Sequence, residues 1–405
     1  MSKINSFGKP TRFFICLIVL SFFLMSCVKE EVELPNQKTL LMYLPWPADM
    51  TLTKAFKTNI ADLEKAISKN GLNNEKVVVF MSTSSTQATL YEITCKNGIC
   101  KHDTLKNYVN PSFTTVEGIA SILSDMKSVA PALTYAMIIG GHGMGWLPVY
   151  PTYPTIGIRA LSTSVSSFKN YWEYEGAFHT RYFGGTTTNY QTDITSLANG
   201  ITMAGIKKME YILFDNCYMS SVEVAYELRN VTNYLIASPT EIMAYGMPYA
   251  VVGEYLLGKT DYEAVCDGFY SFYSTNDEAP YGTLAVTDCS ELDFTASLMK
   301  EINSRYTFDA AQLNSLQRMD GYEPPLFYDF GDYVAHLCTD EQLLMEFEEQ
   351  LNRMIPYKKH TTEFYTKSKG VLPINVYSGI TTSDPSDNPR VSIDKTKTSW
   401  YTATH

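Results

Sequence analysis

The sequence predicts an α/β protein: a mostly parallel sheet flanked by helices on both faces, followed by a C-terminal α+β subdomain. Two observations carry that expectation. Five runs, "TLLMYL", "KVVVFMS", "YAMIIGG", "YILFDN" and "YLIASP", are almost continuously apolar. Strands without polar alternation are buried on both faces, the usual condition of parallel sheets. Between them, apolar residues recur at the three- and four-residue spacing of amphipathic helices.

In chain order, "TLLMYL" (39–44) is the first strand. A helix follows through "LTKAFKTNIADLEKAISKN", where Leu52, Ala55, Phe56, Ile60, Leu63 and Ile67 share one face. "KVVVFMS" and "ATLYEIT" are strands, and Lys96-Asn97-Gly98 reads as a hairpin turn. Cys95 and Cys100 flank that turn. In an exported protein they suit a small disulfide. As half of a zinc site the pair lacks further ligands beyond His102, so no metal is expected.

A helix near 116–129 leads to the strand "YAMIIGG". An irregular, aromatic and Gly-rich insert runs to about residue 187 and precedes a helix over "TDITSLANGITMAGI". The strand "YILFDN", the helix "SSVEVAYELRN" and the strand "YLIASP" complete the parallel unit, set at residues 38–255. Glu223 and Glu227 on that helix read as a solvated face. Residues 256–405 form the C-terminal subdomain, with helices at 260–274, 291–302 and 339–354. The strands "YGTLAVTD" and "GVLPINVYSG" lie among them, and "TTSDPSDNPR" is a loop. Cys266, Cys289 and Cys338 are scattered and read as buried small hydrophobes.

The first residues are read as a leader. Lys3, Lys9 and Arg12 precede "FFICLIVLSFFLM", an apolar stretch too short for a bilayer-spanning helix. Its ending "LMSC" resembles a bacterial lipobox. Residues 1–26 then form a lipoprotein signal peptide, Cys27 becomes the lipidated residue, and 27–37 form a polar tether. "VKEE" after Cys27 resembles the export signal of Bacteroidetes surface lipoproteins, so the expected location is the outer membrane, facing outward. Removing the leader takes away three basic residues and no acid, moving the net charge from −11 to −14. That balance excludes nucleic acid and anionic lipid surfaces as partners, which demand clustered Lys and Arg.

Two strand ends carry reactive groups. "YAMIIGGHGMGW" sets His142 between Gly141 and Gly143, directly after a strand. "YILFDNCYMSSVEVAYEL" sets Cys217 at the end of another strand and before a helix, whose N-terminus favours a thiolate. Two strands of one parallel sheet, with no strand between them in the sequence, deliver both to one sheet edge, where reactive groups of such sheets collect. A thiolate and an imidazole are sufficient for covalent acyl transfer.

These motifs, with "YLIASPTEIMAYGMPY" and the opening "TLLMYLPWPADM", resemble the clostripain family of cysteine peptidases, over roughly residues 38–255. The resemblance implies a caspase-like fold and an endopeptidase acting on peptide or protein substrates. It implies Cys217 as nucleophile and His142 as the group that protonates the leaving amine. Backbone N–H groups of Gly143 and Cys217 then form the oxyanion hole. Asp215 matches the family's pocket acid and implies cleavage after Arg or Lys; the reading from the residues alone is a helix N-cap. Relatives often carry a second acid before the last Gly of the third motif. Here Tyr245 precedes Gly246, with Glu241 four positions earlier, so Glu241 and Tyr245 join the expected substrate-binding set. The family also implies self-cleavage into two chains within the insert, at Arg159, Lys169 or Arg181, while His179 there reads as structural. Calcium enters only through the resemblance, since no Asp-rich calcium loop occurs; no other cofactor is expected.

The competing reading is a surface lipoprotein that kept the fold, lost the chemistry and binds peptide or protein ligands. The paired His142 and Cys217 count against it, and the altered third motif is what sustains it. A nucleotide site is set aside because no phosphate-binding glycine motif follows a strand.

Overall fold

The computed structural model describes residues 36–405, apart from 46–49, 73, 85, 150–183 and 185–189. The strands are β1 (Asn36–Leu44), β2 (Lys76–Ser84), β3 (Gln87–Lys96), β4 (Ile99–Val109), β5 (Ala132–Gly140), β6 (Met209–Asp215) and β7 (Thr232–Ala237). After them come β8 (Thr283–Asp288), β9 (Tyr328–Asp329), β10 (Tyr357–His360), β11 (Glu363–Thr366), β12 (Gly370–Pro373) and β13 (Thr381–Thr382). The main sheet has nine strands in the order β10-β8-β7-β6-β5-β1-β2-β3-β4. Its centre, β7-β6-β5-β1-β2, is parallel, as expected of uniformly apolar runs. β3 and β4 extend one edge as an antiparallel meander, and β8 and β10 extend the other.

Alternation along each strand divides the core. Leu41 and Tyr43 of β1 point to one face with Met137 and Ile139 of β5 and Ile212 and Phe214 of β6. Leu40, Met42 and Leu44 point to the other with Ala136, Ile138, Tyr211 and Leu213. The first face is covered by α2 (Val116–Val129), α3 (Ile194–Met203), α4 (Val222–Leu228), α7 (Leu292–Arg305), α8 (Phe330–Leu337) and α9 (Glu341–Met354). The second is covered by α1 (Met50–Asn70), α5 (Tyr249–Leu256) and α6 (Tyr262–Ser274). The short helices α10 (Pro389–Asp394) and α11 (Ser399–Thr404) end the chain, with Trp400 of α11 fully buried in the first core.

The segment after residue 255 contributes β8 and β10 to this same sheet. "GVLPINVYSG" forms a strand only over β12, paired with β11. Pro373 has no N–H to continue the ladder, and Ile374 N–H turns to Thr362 O at 3.0 Å. The β3–β4 turn has Asn97 and Gly98 at φ +54° and +76°, and Cys95 and Cys100 beside it are joined as a disulfide. Cys27, Arg159, Lys169, His179 and Arg181 lie outside the described residues, as do the leader and the "VKEE" segment. No helix among the described residues is long and apolar enough to cross a membrane.

Candidate active site

β5 and β6 are neighbours, with Gly140 registered opposite Asp215, so the two reactive loops leave the sheet side by side. Asn216 locks them together: its Nδ2 donates to His142 O at 3.1 Å. Gly143 is pressed against the thiol's own backbone. A Cβ at position 143 would lie 2.1 Å from Cys217 O and 3.0 Å from Cys217 N, so only glycine fits. Gly145 is closed in likewise, by the Phe327 ring and Tyr218 O. His142 and Cys217 are both buried.

Cys217 is not at a helix N-terminus. α4 begins at Val222 and is capped by Ser221, whose Oγ accepts from Val224 N–H. Residues 218–220 instead run beside the third motif, with Tyr218 N–H on Thr240 O and Ser220 N–H on Ser238 O, both at 3.0 Å. The helix-dipole argument for the thiol therefore fails, and so does the reading of Asp215 as a cap. Both backbone polar groups of Ile242 lie against the sulfur: its N–H donates to Cys217 Sγ at 3.4 Å, and the thiol donates to Ile242 O at 3.9 Å. Burial pushes the Cys266 and Cys289 thiols up to about 12, which leaves both inert near neutral pH.

Asp215 is buried under the third motif. Its Oδ1 accepts Met247 N–H at 3.0 Å and its Oδ2 accepts the Tyr249 hydroxyl at 3.1 Å. Glu241 is turned inward: Oε1 accepts the Tyr218 hydroxyl at 2.7 Å, and both oxygens accept Lys367 N–H, at 3.1 and 3.2 Å. Tyr245 is 45% exposed and donates to Glu278 Oε2 at 2.9 Å, a bond that raises its phenol pKa. The three expected substrate-binding side chains thus do not converge; Asp215 and Glu241 hold loops, and Tyr245 faces solvent.

Sequence reasoning missed Asn216, Tyr218 and the C-terminal strap. Tyr218 has φ +59°, a conformation that costs a non-glycine residue about 1–3 kcal/mol. Its ring stacks on Phe327 at 5.3 Å. The strap, residues 378–384, runs back to the residues after Cys217. Thr381 N–H bonds Ser220 O at 3.0 Å, and Ser383 N–H bonds Glu223 Oε1 at 2.7 Å. Glu223 is therefore a buried acid rather than part of a solvated face, and Glu227 accepts the Ser399 hydroxyl. Trp146 of the histidine loop reaches the strap too, donating to Ser383 Oγ at 2.8 Å. "HGMGW" carried a signal for packing, since two glycines beside a tryptophan suit close backbone approach.

Among the described residues no group of three or more His, Cys, Asp or Glu side chains is placed to hold a metal ion. The fold is the caspase-like one. The family model described as the clostripain family, Peptidase_C11, matches residues 166–385. A secreted C11 cysteine protease from Bacteroides thetaiotaomicron is 55% identical, covering 92% of this chain and 100% of its own, with a TM-score of 0.82. A clostripain from the same organism, in complex with the peptide inhibitor BTN-VLTK-AOMK, is 62% identical over 55% of this chain and 99% of its own, with a TM-score of 0.54. An inactive zymogen C11 protease from Parabacteroides distasonis is 23% identical at a TM-score of 0.72 and shares the fold, covering 92% of this chain and 99% of its own. No curated protein sequence matches. The chain belongs to the clostripain family of cysteine peptidases, and it is a hydrolase of peptide bonds. The family match extends well beyond residue 255, where the sequence motifs alone had thinned out.

Proposed function

We propose that the protein is an endopeptidase that cleaves after Lys or Arg with Cys217 as nucleophile and His142 as its acid–base partner. The observation that carries this reading is the interlocking of the two strand-end loops, through Asn216 on His142 O and Gly143 against the Cys217 backbone. Cys217 Sγ passes its proton to His142 and attacks the scissile carbonyl carbon, forming a C–S bond. The carbonyl oxygen takes negative charge and is received by the N–H groups of Gly143 and Cys217, fixed donors commonly worth about 2.7–4 kcal/mol each. Collapse breaks the C–N bond, and His142 gives its proton to the amine. Water, deprotonated by His142, then hydrolyses the thioester. Asp215 supplies negative charge beneath the third motif for the basic side chain before the cut. The inhibitor held by the 62%-identical clostripain has a peptide part ending in K, which agrees with that preference. The protein further carries, in this reading, a lipid on Cys27 that holds it at the outer membrane. Cleavage of its own chain in the insert yields two chains.

A panel of fluorogenic peptides differing only at the residue before the cut, run with and without calcium, tests the chemistry. Turnover of Lys and Arg peptides should vanish in Cys217→Ala and persist in Cys289→Ala. Asp215→Asn should erase the preference for basic over neutral peptides; a preference left intact rejects the pocket assignment. Release of Cys27→Ala from the membrane fraction checks the anchor. N-terminal sequencing of the purified chains locates any cut.

A further inference from the structure

Four non-glycine residues among those described have a positive φ: Asn74, Asn97, Asn110 and Tyr218. Asparagine tolerates that region, because its short amide bonds its own backbone; a tyrosine does not. Tyr218 directly follows Cys217, so the strained residue sets the path of the chain immediately after the thiol. Something must hold it there. The ring is packed between Phe327 and Tyr322, at 5.3 and 6.0 Å, and the hydroxyl is fixed by Glu241. Glu241 is itself anchored by Lys367 N–H in the turn between β11 and β12. The residue after Glu241, Ile242, directs its N–H to Cys217 Sγ at 3.4 Å. One dipeptide of the third motif therefore grips both the sulfur and the residue next to it.

We propose that Glu241 and Tyr218 are positioning residues: their hydrogen bond clamps Tyr218 in the left-handed conformation and so aims Cys217 Sγ and the Ile242 N–H at each other. Glu241 then does not read the substrate's charge. Its oxygens, like those of Asp215, accept from the chain itself; what sets Glu241 apart is that it grips Tyr218, the residue beside the thiol, although its place in the third motif suggests a stand-in for the missing pocket acid. The inference rests on Cys217 being the nucleophile.

Tyr218→Phe removes the hydroxyl and leaves the ring. Together with Glu241→Ala it should lower kcat about tenfold, the size expected of a lost charge-assisted bond. KM and the ratio of Lys to neutral peptide turnover should stay put. In both variants the pH profile of iodoacetamide alkylation of Cys217 should move upward, because the sulfur loses an aligned N–H donor. Glu241→Gln keeps an acceptor oxygen for the hydroxyl and should recover most of kcat. The double variant should be no slower than the slower single variant, as coupled partners behave. Melting temperatures and titration of active thiols count the folded enzyme in each case. The clamp is overturned if Glu241→Ala acts through KM on basic peptides alone, or if Tyr218→Phe leaves kcat and the alkylation profile untouched. A Gln variant as slow as Ala overturns it as well. Turnover surviving in Cys217→Ala would remove the nucleophile and the clamp together, whereas failure of the clamp leaves Cys217→Ala inactive.

Discussion

At the amino end of the parallel strands, Lys38 of β1 is buried and answered by charge. Its Nζ lies 3.4 Å from Glu210 Oε2 and 3.9 Å from Glu75 Oε1, and it donates to Gly258 O at 2.7 Å. Burial pushes the Glu75 carboxyl up, while Gly258 N–H and Lys38 oppose the rise. At the carboxyl end the buried carboxyl groups bond loops. Asp215 holds Met247 and Tyr249, Glu241 holds Tyr218 and Lys367, and Glu223 holds Thr382 and Ser383. The first arrangement ties strand starts to the loop after α5. The second fixes the paths of three loops relative to Cys217. The same sheet therefore offers one end whose charges serve folding and another whose charges set geometry, and substitutions should sort accordingly.

The largest effect belongs to the carboxyl end. Cys217→Ala and His142→Ala should each cost more than about 10³-fold in kcat/KM with the melting temperature little changed. Next comes the amino end: Lys38→Met leaves Glu75 buried without its cation. It should cost about 3–5 kcal/mol in urea unfolding while kcat per folded molecule is unchanged. A fall in kcat there would break the division between the two ends. Gly143→Ala follows. The added methyl meets Cys217 O, and moving that loop should cost about 10²–10³-fold in kcat, the loss typical of one oxyanion donor, with KM nearly constant. A Gly143→Ala enzyme with normal kcat would mean that the loops tolerate displacement.

The amino-acid pattern reveals the sheet and the two reactive loops because each rests on local chemistry. Continuous apolar runs mark β1, β2, β5, β6 and β7, and glycines on either side of His142 mark a close approach. What it hides is long-range or conformational. Nothing in "CYMSS" announces a left-handed tyrosine, since that geometry is imposed by Phe327 and Glu241 from elsewhere in the chain. The strap meets Glu223 across 160 positions of sequence and leaves no periodicity behind it. The sequence predicts a solvated face on α4 at Glu223 and Glu227, but Val222 through Tyr226 are all buried, because the strap and α11 cover the side that would face water. Asp215 shows the intermediate case. Its place before the cysteine is legible, while its bonds to Met247 and Tyr249 depend on how the third motif folds back.

The smallest expected effect concerns pH, and it tests whether the acids of the carboxyl end are tolerated or useful. Burial raises the Glu223 carboxyl from 4.5 to about 7, with the nearby Asp384 adding to the rise and Ser383 N–H and the Thr382 hydroxyl opposing it. Asp384 is raised too, chiefly by burial, with Lys395 and His405 acting the other way. Between those two values for Glu223, the folded chain keeps a proton that the unfolded chain has released. The contribution is complete below the unfolded value and is lost as pH rises through about 7. Glu223→Gln has no proton to lose and keeps an oxygen for Ser383 N–H and Thr382. Its melting temperature should match the wild type near pH 5 and exceed it at pH 8, by a margin on the order of 1–3 kcal/mol in stability. Asp320, raised to about 7 mainly by burial, titrates in the same window in both proteins, so the difference between them reports Glu223 together with its neighbour Asp384. Equal stability at pH 8 would mean that Glu223 stays charged against the strap. The carboxyl end would then hold Glu223 as an ion.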